Sequence, residues 1–240
     1  MHLLSLTSKS SGAKTVNYMR KILWLLPVFL LALGALLPAW ALTPEEVMTR
    51  VQAQYDKSGA FQSRFKQESS LKASGQSDSA EGWMYFQKPC RMRWQYETPP
   101  AQKKEVVSDG RLVWMYMPQD SLVMVYKLDQ VLRSDLVMRF FSGMGQFQKD
   151  FETSWGKPPA ESSSYIINLY PKKEQAELKR LTLTINPKTY LVENLSFANA
   201  LGEESQFAFT QMKLDVSLGR DFFTFTPPPG VQVVRETPGS

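Results

Sequence analysis

The 240-residue chain is nearly devoid of histidine and cysteine, and this shortage removes whole classes of chemistry. Its one histidine is His2, and its one cysteine is Cys90. His2 would be removed with the signal peptide that the sequence predicts, so the mature chain would have no histidine. Ser-His-Asp and Cys-His nucleophile systems and His-ligated metal sites are therefore excluded, and a lone cysteine excludes Cys-rich zinc sites. A Gly-rich phosphate loop is absent too, because Ser142-Gly143-Met144-Gly145 lacks the following Lys-Ser/Thr. We therefore predict no metal, no cofactor and no enzyme activity, and a fold held by packing rather than by disulfides.

Residues 19–41 have the three parts of a secretory signal. Met19-Arg20-Lys21 is a basic start, 22–37 is an apolar run, and Ala39-Trp40-Ala41 is a small-x-small cleavage site. The alternative is an uncleaved anchor, but the run is short for a bilayer span. We expect 1–41 to be a signal peptide, with Met19 as a candidate start.

Cleavage after Ala41 would leave a mature chain of 42–240, which we interpret as a single exported domain. Its first residue would be Leu42 and not the cysteine that lipid attachment requires, so an exported but unlipidated protein is expected. The leader contains four of the 28 basic residues and no acid, which leaves 24 basic against 23 acidic residues. A net charge of +1 argues against a nucleic-acid partner.

The mature chain is predicted to begin with a helix. Thr43 and Glu46 form a Thr-x-x-Glu capping box around Pro44, which suits a first helical turn. Val47 and Val51, with Tyr55 one turn later, form one apolar stripe.

Alternation of apolar and polar residues then predicts a series of strands. Examples are 61–65, 92–96 and 181–185, and a last strand is predicted at 222–226. Ten or eleven short antiparallel strands are too many for one flat sheet. The predicted fold is therefore mainly β: an open, incomplete antiparallel barrel with an N-terminal helix.

The interval from Ser134 to Phe151 has a helical period instead. Leu136 and Phe140 are one turn apart, Phe141 follows, and glycines interrupt the pattern. We interpret this interval as an inserted helical lid over the apolar side of the sheet.

Large aromatic and methionine side chains recur along the strands, which suits a pocket for flexible apolar ligands. For any single one of these residues, an ordinary core position is the main alternative. The predicted apolar cavity consists of Val47, Val51, Phe65, Met92, Trp94, Tyr96, Trp114, Tyr116, Met124, Leu136, Phe140 and Phe141.

Four segments in order resemble the LolA family of periplasmic outer-membrane lipoprotein carriers. They are 61–67 (FQSRFKQ), 82–89 (GWMYFQKP) with Trp94 after it, 108–118 (SDGRLVWMYMP) and 223–231 (FTFTPPPGV). The resemblance implies a barrel of about 11 strands whose cavity takes the acyl chains of triacylated lipoproteins. It also implies two partners, an inner-membrane lipoprotein-releasing ABC transporter and an outer-membrane lipoprotein receptor. We expect the carrier to be a monomer.

One position departs from the family pattern. The residue before Pro89 is typically an arginine that holds the lid closed, and here it is Lys88, which keeps the charge without the planar fork. Lys88 is thus a candidate lid latch; a solvated strand end is the alternative, and Arg91 or Arg93 could supply the contact instead. Two other functions stay open: a periplasmic binding protein for another lipid or glycolipid, and a stress-sensing module of the same fold.

Overall fold

Helix α1 spans Pro44–Lys57 and begins where the capping residues predicted it. The Thr43 hydroxyl accepts a hydrogen bond from the Glu46 amide at 3.2 Å, and the Glu46 carboxylate accepts one from the Thr43 amide at 2.8 Å. The computed structural model describes residues 42–71, 76–134, 147–157, 163–173, 178–198 and 203–235. The predicted signal peptide lies outside these residues.

Twelve strands follow the helix in the described part of the chain. They are β1 (Ala60–Leu71), β2 (Gln76–Gln87), β3 (Arg91–Thr98), β4 (Lys104–Asp109), β5 (Leu112–Met117), β6 (Leu122–Lys127), β7 (Phe151–Trp155), β8 (Tyr165–Pro171), β9 (Arg180–Ile185), β10 (Val192–Ala198), β11 (Glu203–Leu214) and β12 (Gln232–Arg235).

All strands belong to one sheet in the order β12-β6-β5-β4-β3-β2-β1-β11-β10-β9-β8-β7. Neighbours are antiparallel except β12, which pairs parallel with β6. Within the described residues the two end strands, β7 and β12, do not pair, so the sheet remains open. The prediction of a mainly β, open sheet after an N-terminal helix is confirmed, with one parallel pairing added.

Two departures concern the ends of the sheet. The strand predicted at 222–226 is wrong: Arg220–Phe223 is a 3₁₀ turn, and the last strand is β12. Helix α2 (Leu128–Ser134) comes before the predicted helical insertion and meets it only at Ser134, and α3 (Phe147–Asp150) lies inside it. The insertion was predicted to reach Phe151, but β7 already begins there. The remainder of the insertion, 135–146, lies outside the described residues.

The register defines two faces of the sheet. We call inner the face that bears Phe61 of β1 and its partner Phe86 of β2, because the α1 residue Tyr55 packs edge-on against Phe61 at 5.3 Å. The opposite, outer face bears Tyr85 and its partner Arg93.

A C-terminal segment, residues 216–231, covers part of the outer face. The ring of Phe222 meets Tyr85 edge-on at 4.8 Å, and Phe225 lies 5.8 Å from Tyr116. Arg93 fastens this segment, since its guanidinium donates to the Phe222 carbonyl at 2.6 Å and to Glu105 at 2.7 Å. Beyond the segment, β12 pairs with β6 and so closes that strand's exposed edge.

Candidate functional site

A row of apolar side chains crosses the inner face from β2 to β6. Each member is the direct cross-strand partner of the next: Met84, Trp94, Val106, Met115 and Met124. Met84 is fully buried, whereas the last three are half-buried. The inner face is therefore packed near β2 and more open toward β6. Methionine adapts its shape easily, which suits the open part to flexible apolar ligands.

The packed end of this row is an aromatic cluster around Trp94. Its ring lies 5.1 Å from Phe65, 6.0 Å from Phe86 and 5.8 Å from Phe207. Phe65 approaches this closely because its neighbour across the strand pair is Gly82, whose missing side chain leaves the Phe65 ring 3.1 Å from where a Cβ would stand.

Helix α1 lies over the inner face on the side away from β6, where it contacts β1, β7 and β10. Val47 and Val51 are completely buried, and the Tyr55 hydroxyl accepts a hydrogen bond from the Val192 amide at 3.3 Å. Burial raises the pKa of Tyr55 well above its usual range. A tyrosine in this environment remains neutral, so the helix contributes an apolar surface with one satisfied hydroxyl.

The described residues offer no metal site, and two groups on the inner face have shifted pKa values. The described residues contain no group of three or more side chains that could hold a metal ion. Burial raises the pKa of Tyr96 to about 12 and lowers that of Lys104.

In the portion of the chain described, no helix has the length and apolar character needed to cross a bilayer.

Comparison with known families matches residues 56–226 to the family described as outer membrane lipoprotein carrier protein LolA. The match covers more than half of the chain. This protein belongs to the LolA family. LolA-family proteins are periplasmic transport proteins for lipoproteins and not enzymes.

Curated LolA-family relatives extend the match over most of the chain. The outer-membrane lipoprotein carrier protein of Nitrosomonas europaea is 27% identical over 75% of this chain and 85% of its own length. That of Bordetella pertussis is 26% identical over 92% of this chain and all of its own length. A solved structure of an uncharacterized conserved protein from Thermus thermophilus shares the fold, with a TM-score of 0.52 at 14% identity over 80% of this chain and 98% of that one.

The LolA-like sheet brings only part of the predicted cavity together. Phe65, Met92, Trp94, Tyr96 and Met124 share the inner face, with Val47 and Val51 of α1 packed over it.

Two predicted residues are separated from the others by the register. Trp114 pairs with Val107 and Tyr116 with Glu105, and both aromatic rings lie on the outer face. Phe225 of the C-terminal segment packs on these rings, at 6.3 and 5.8 Å. In β5 the inner positions are instead Val113 and Met115, because side chains alternate along a strand. We therefore leave Trp114 and Tyr116 out of the site.

The candidate latch Lys88 contacts α1. Its ammonium donates to the main-chain carbonyl of Tyr55 at 2.7 Å and lies 3.6 Å from the Asp56 carboxylate. It therefore satisfies a carbonyl at the helix C-terminus, where a cation is also favoured by the helix dipole. Of the two other residues considered for the latch, Arg91 donates a hydrogen bond to Gln87 at 3.4 Å and Arg93 donates one to the C-terminal segment.

The predicted cavity residues Leu136, Phe140 and Phe141 lie outside the described residues.

Sequence reasoning missed Met84, Val106 and Met115 as members of the inner row, and Phe207 as a neighbour of Trp94. The alternation of Phe207 and Phe209 in β11 was a signal that could have indicated inner-face positions. Val106 and Met115 could not be assigned to a face without the pairing of β3, β4 and β5.

Proposed function

We propose that this protein shields the acyl chains of lipoproteins on its inner face while they cross the periplasm. The observation that carries the proposal is a continuous apolar row, Met84 to Met124, in a LolA-family chain, with its β6 end only half-buried. The cargo would come from an inner-membrane lipoprotein-releasing ABC transporter. It would pass to an outer-membrane lipoprotein receptor.

Acyl burial supplies the driving force for this role. Each buried methylene contributes about 0.8 kcal/mol, so two or three long chains would gain on the order of 30 kcal/mol gross. A carrier that kept all of this as affinity could not release its cargo. The empty protein must therefore cover its own apolar face, so that loading also costs the contacts of the cover.

We assign that cover to the predicted lid. Leu136, Phe140 and Phe141 would rest on Trp94 and Met124 in the empty state and be displaced by acyl chains. The net affinity is then a difference between two burials, which permits transfer to the receptor without nucleotide hydrolysis by the carrier. A charged residue at Phe140 is expected to abolish loading and leave the sheet folded.

A paired substitution tests the inner face directly. Met124→Glu puts a carboxylate on the inner face in β6, whereas Val233→Glu puts the same group at an exposed position in neighbouring β12. Val233 is the partner of Val123 and so lies on the outer face. Burying an unpaired carboxylate against acyl chains is costly, so Met124→Glu should weaken the affinity for a triacylated lipopeptide by about tenfold or more.

The measurement is titration of each purified variant with a fluorescent triacylated lipopeptide, with circular dichroism as the check on folding. Val233→Glu should bind like the wild type. A Met124→Glu protein that folds and binds the lipopeptide normally would refute the inner-face assignment. Native mass spectrometry of protein purified from the periplasm addresses the alternative, since a co-purified glycolipid or other lipid would favour a different cargo.

A further inference from the structure

The inner face changes from apolar to polar along the direction of its strands. In β1 the buried Phe61 lies at one end, and the half-buried Gln67 and Ser69 lie toward the other. β2 repeats the gradient, because Phe86 is opposite Phe61 and Asp78 is opposite Ser69. An amphiphile placed along these strands would therefore have one preferred direction.

A cavity of about 420 Å³ lies at the polar end. We call it the mouth cavity; its walls include Gln67, Ser69, Asp78, Tyr96, Lys104 and Met117. Tyr96 is the direct partner of Lys104 and lies on the same face as Trp94, so the cavity continues the inner face rather than forming a separate pocket.

Three polar groups at this end of the inner face have no hydrogen-bond or ion-pair partner among the described residues. Two belong to residues that line the mouth cavity, Lys104 and Gln67, and the third belongs to Trp94, two positions before Tyr96 on the same face. The Lys104 ammonium lies 4.2 Å from the centre of the Tyr96 ring and takes part in none of the ion pairs found there. Gln67 Oε1 and Trp94 Nε1 are buried and accept or donate no hydrogen bond in the described structure. The other Gln67 amide atom, Nε2, donates to Ser69 Oγ at 3.0 Å, which holds the side chain in place.

Gln67 Oε1 and Trp94 Nε1 are buried without a partner, which is costly, and the half-buried Lys104 ammonium has no ion-pair partner; a common ligand would satisfy all three. Lys104 and Trp94 offer hydrogen-bond donors, whereas Gln67 Oε1 offers an acceptor. The complementary ligand has carbonyl oxygens and an N–H group next to long apolar chains. An N-acylated, diacylglyceryl cysteine has all of these, in its ester carbonyls and its amide.

We propose that the mouth cavity is a subsite for the polar head of an acylated peptide. This inference rests on the proposed function. Lys104 and Trp94 donate to the ester carbonyls, and Gln67 accepts the amide N–H. The acyl chains then extend along the strands toward Phe86 and Met92, and the peptide leaves past Lys104.

The test compares a tripalmitoyl cysteine lipopeptide with its ether analogue, in which methylene groups replace the two ester carbonyls. A hydrogen bond from a charged donor is stronger than one between neutral groups, but Lys104 is partly exposed, so we expect the wild type to prefer the ester by about tenfold. Lys104→Met should reduce this preference to about twofold or less and leave affinity for the ether unchanged. Lys104→Arg should retain it, and Lys127→Met, at the exposed far end of β6, should match the wild type.

No ester preference in the wild type, or equal weakening of both ligands by Lys104→Met, overturns the subsite while acyl binding itself still supports the carrier proposal. If the wild type binds neither ligand, both the carrier function and the subsite are refuted. Dipalmitoylphosphatidylglycerol shares the esters but has no amide, so Gln67→Met should weaken lipopeptide binding several-fold and not phospholipid binding. Equal losses would assign the subsite to membrane-lipid esters and overturn its assignment to an acylated peptide.

Discussion

Replacing Lys88 with methionine separates two roles that this side chain could have. In the structure its ammonium donates to the Tyr55 carbonyl at 2.7 Å, at the C-terminal end of α1. The family resemblance instead implies contact with the lid. Methionine has a similar length and apolar stem, so the substitution removes the donor and the charge with little change in packing.

The expected loss of stability follows from that contact. Hydrogen bonds to charged groups contribute about 1.5–3 kcal/mol, and a cation at a helix C-terminus adds roughly 0.3–1 kcal/mol. The Lys88 side chain is 32% exposed, so solvent screens part of both effects. We therefore expect Lys88→Met to lower the free energy of unfolding by about 1–2 kcal/mol.

Urea unfolding followed by circular dichroism measures this loss. Lys57→Met is the matched control, because Lys57 lies in the last turn of the same helix and is exposed. Its effect should stay within about 0.5 kcal/mol. Lys88→Arg should lose less than Lys88→Met because it keeps a cationic donor. If Lys88→Met unfolds at the wild-type urea concentration yet cannot accept or release a lipoprotein, the helix-docking interpretation is refuted in favour of a lid latch.

Two further predictions concern the inner face. In Gly82→Ala, the new methyl group would collide with the Gln95 carbonyl oxygen and press on Phe65, so the free energy of unfolding should fall by about 2–3 kcal/mol. Gly59 has open space around it, so Gly59→Ala should leave the free energy of unfolding unchanged or slightly higher. Equal urea midpoints for the two variants would contradict this prediction. Burial raises the pKa of Tyr96 from its ordinary value near 10 to about 12, so the contribution of its neutral form is present below pH 10 and is lost as pH rises from 10 to 12. Tyr96→Phe should therefore lose less stability than the wild type between pH 8 and pH 11 in urea titrations, and equal losses would show that Tyr96 does not titrate as its burial implies.

Local sequence patterns were sufficient for the elements with strong signals. The Thr43–Glu46 capping box places the start of α1 at Pro44, and the alternation in 92–96 places β3. β7 was missed because Phe151 also continues the helical spacing of the insertion, so the two periods compete at that residue. β12 has only four residues, Gln232–Arg235, too few for an alternating pattern to be recognised.

The sequence by itself determined that this chain is a β-sheet protein with an aromatic and methionine-rich apolar face and without histidine chemistry, because composition and period-two alternation are local properties. Only the tertiary structure decided which face each strand presents. Trp94 and Trp114 look alike in the sequence, yet Trp94 joins Met84 and Met124 on the inner face, and Trp114 packs under Phe225. The reason is physical: a strand's two faces become distinct only when neighbouring strands set its register and the C-terminal segment covers one of them.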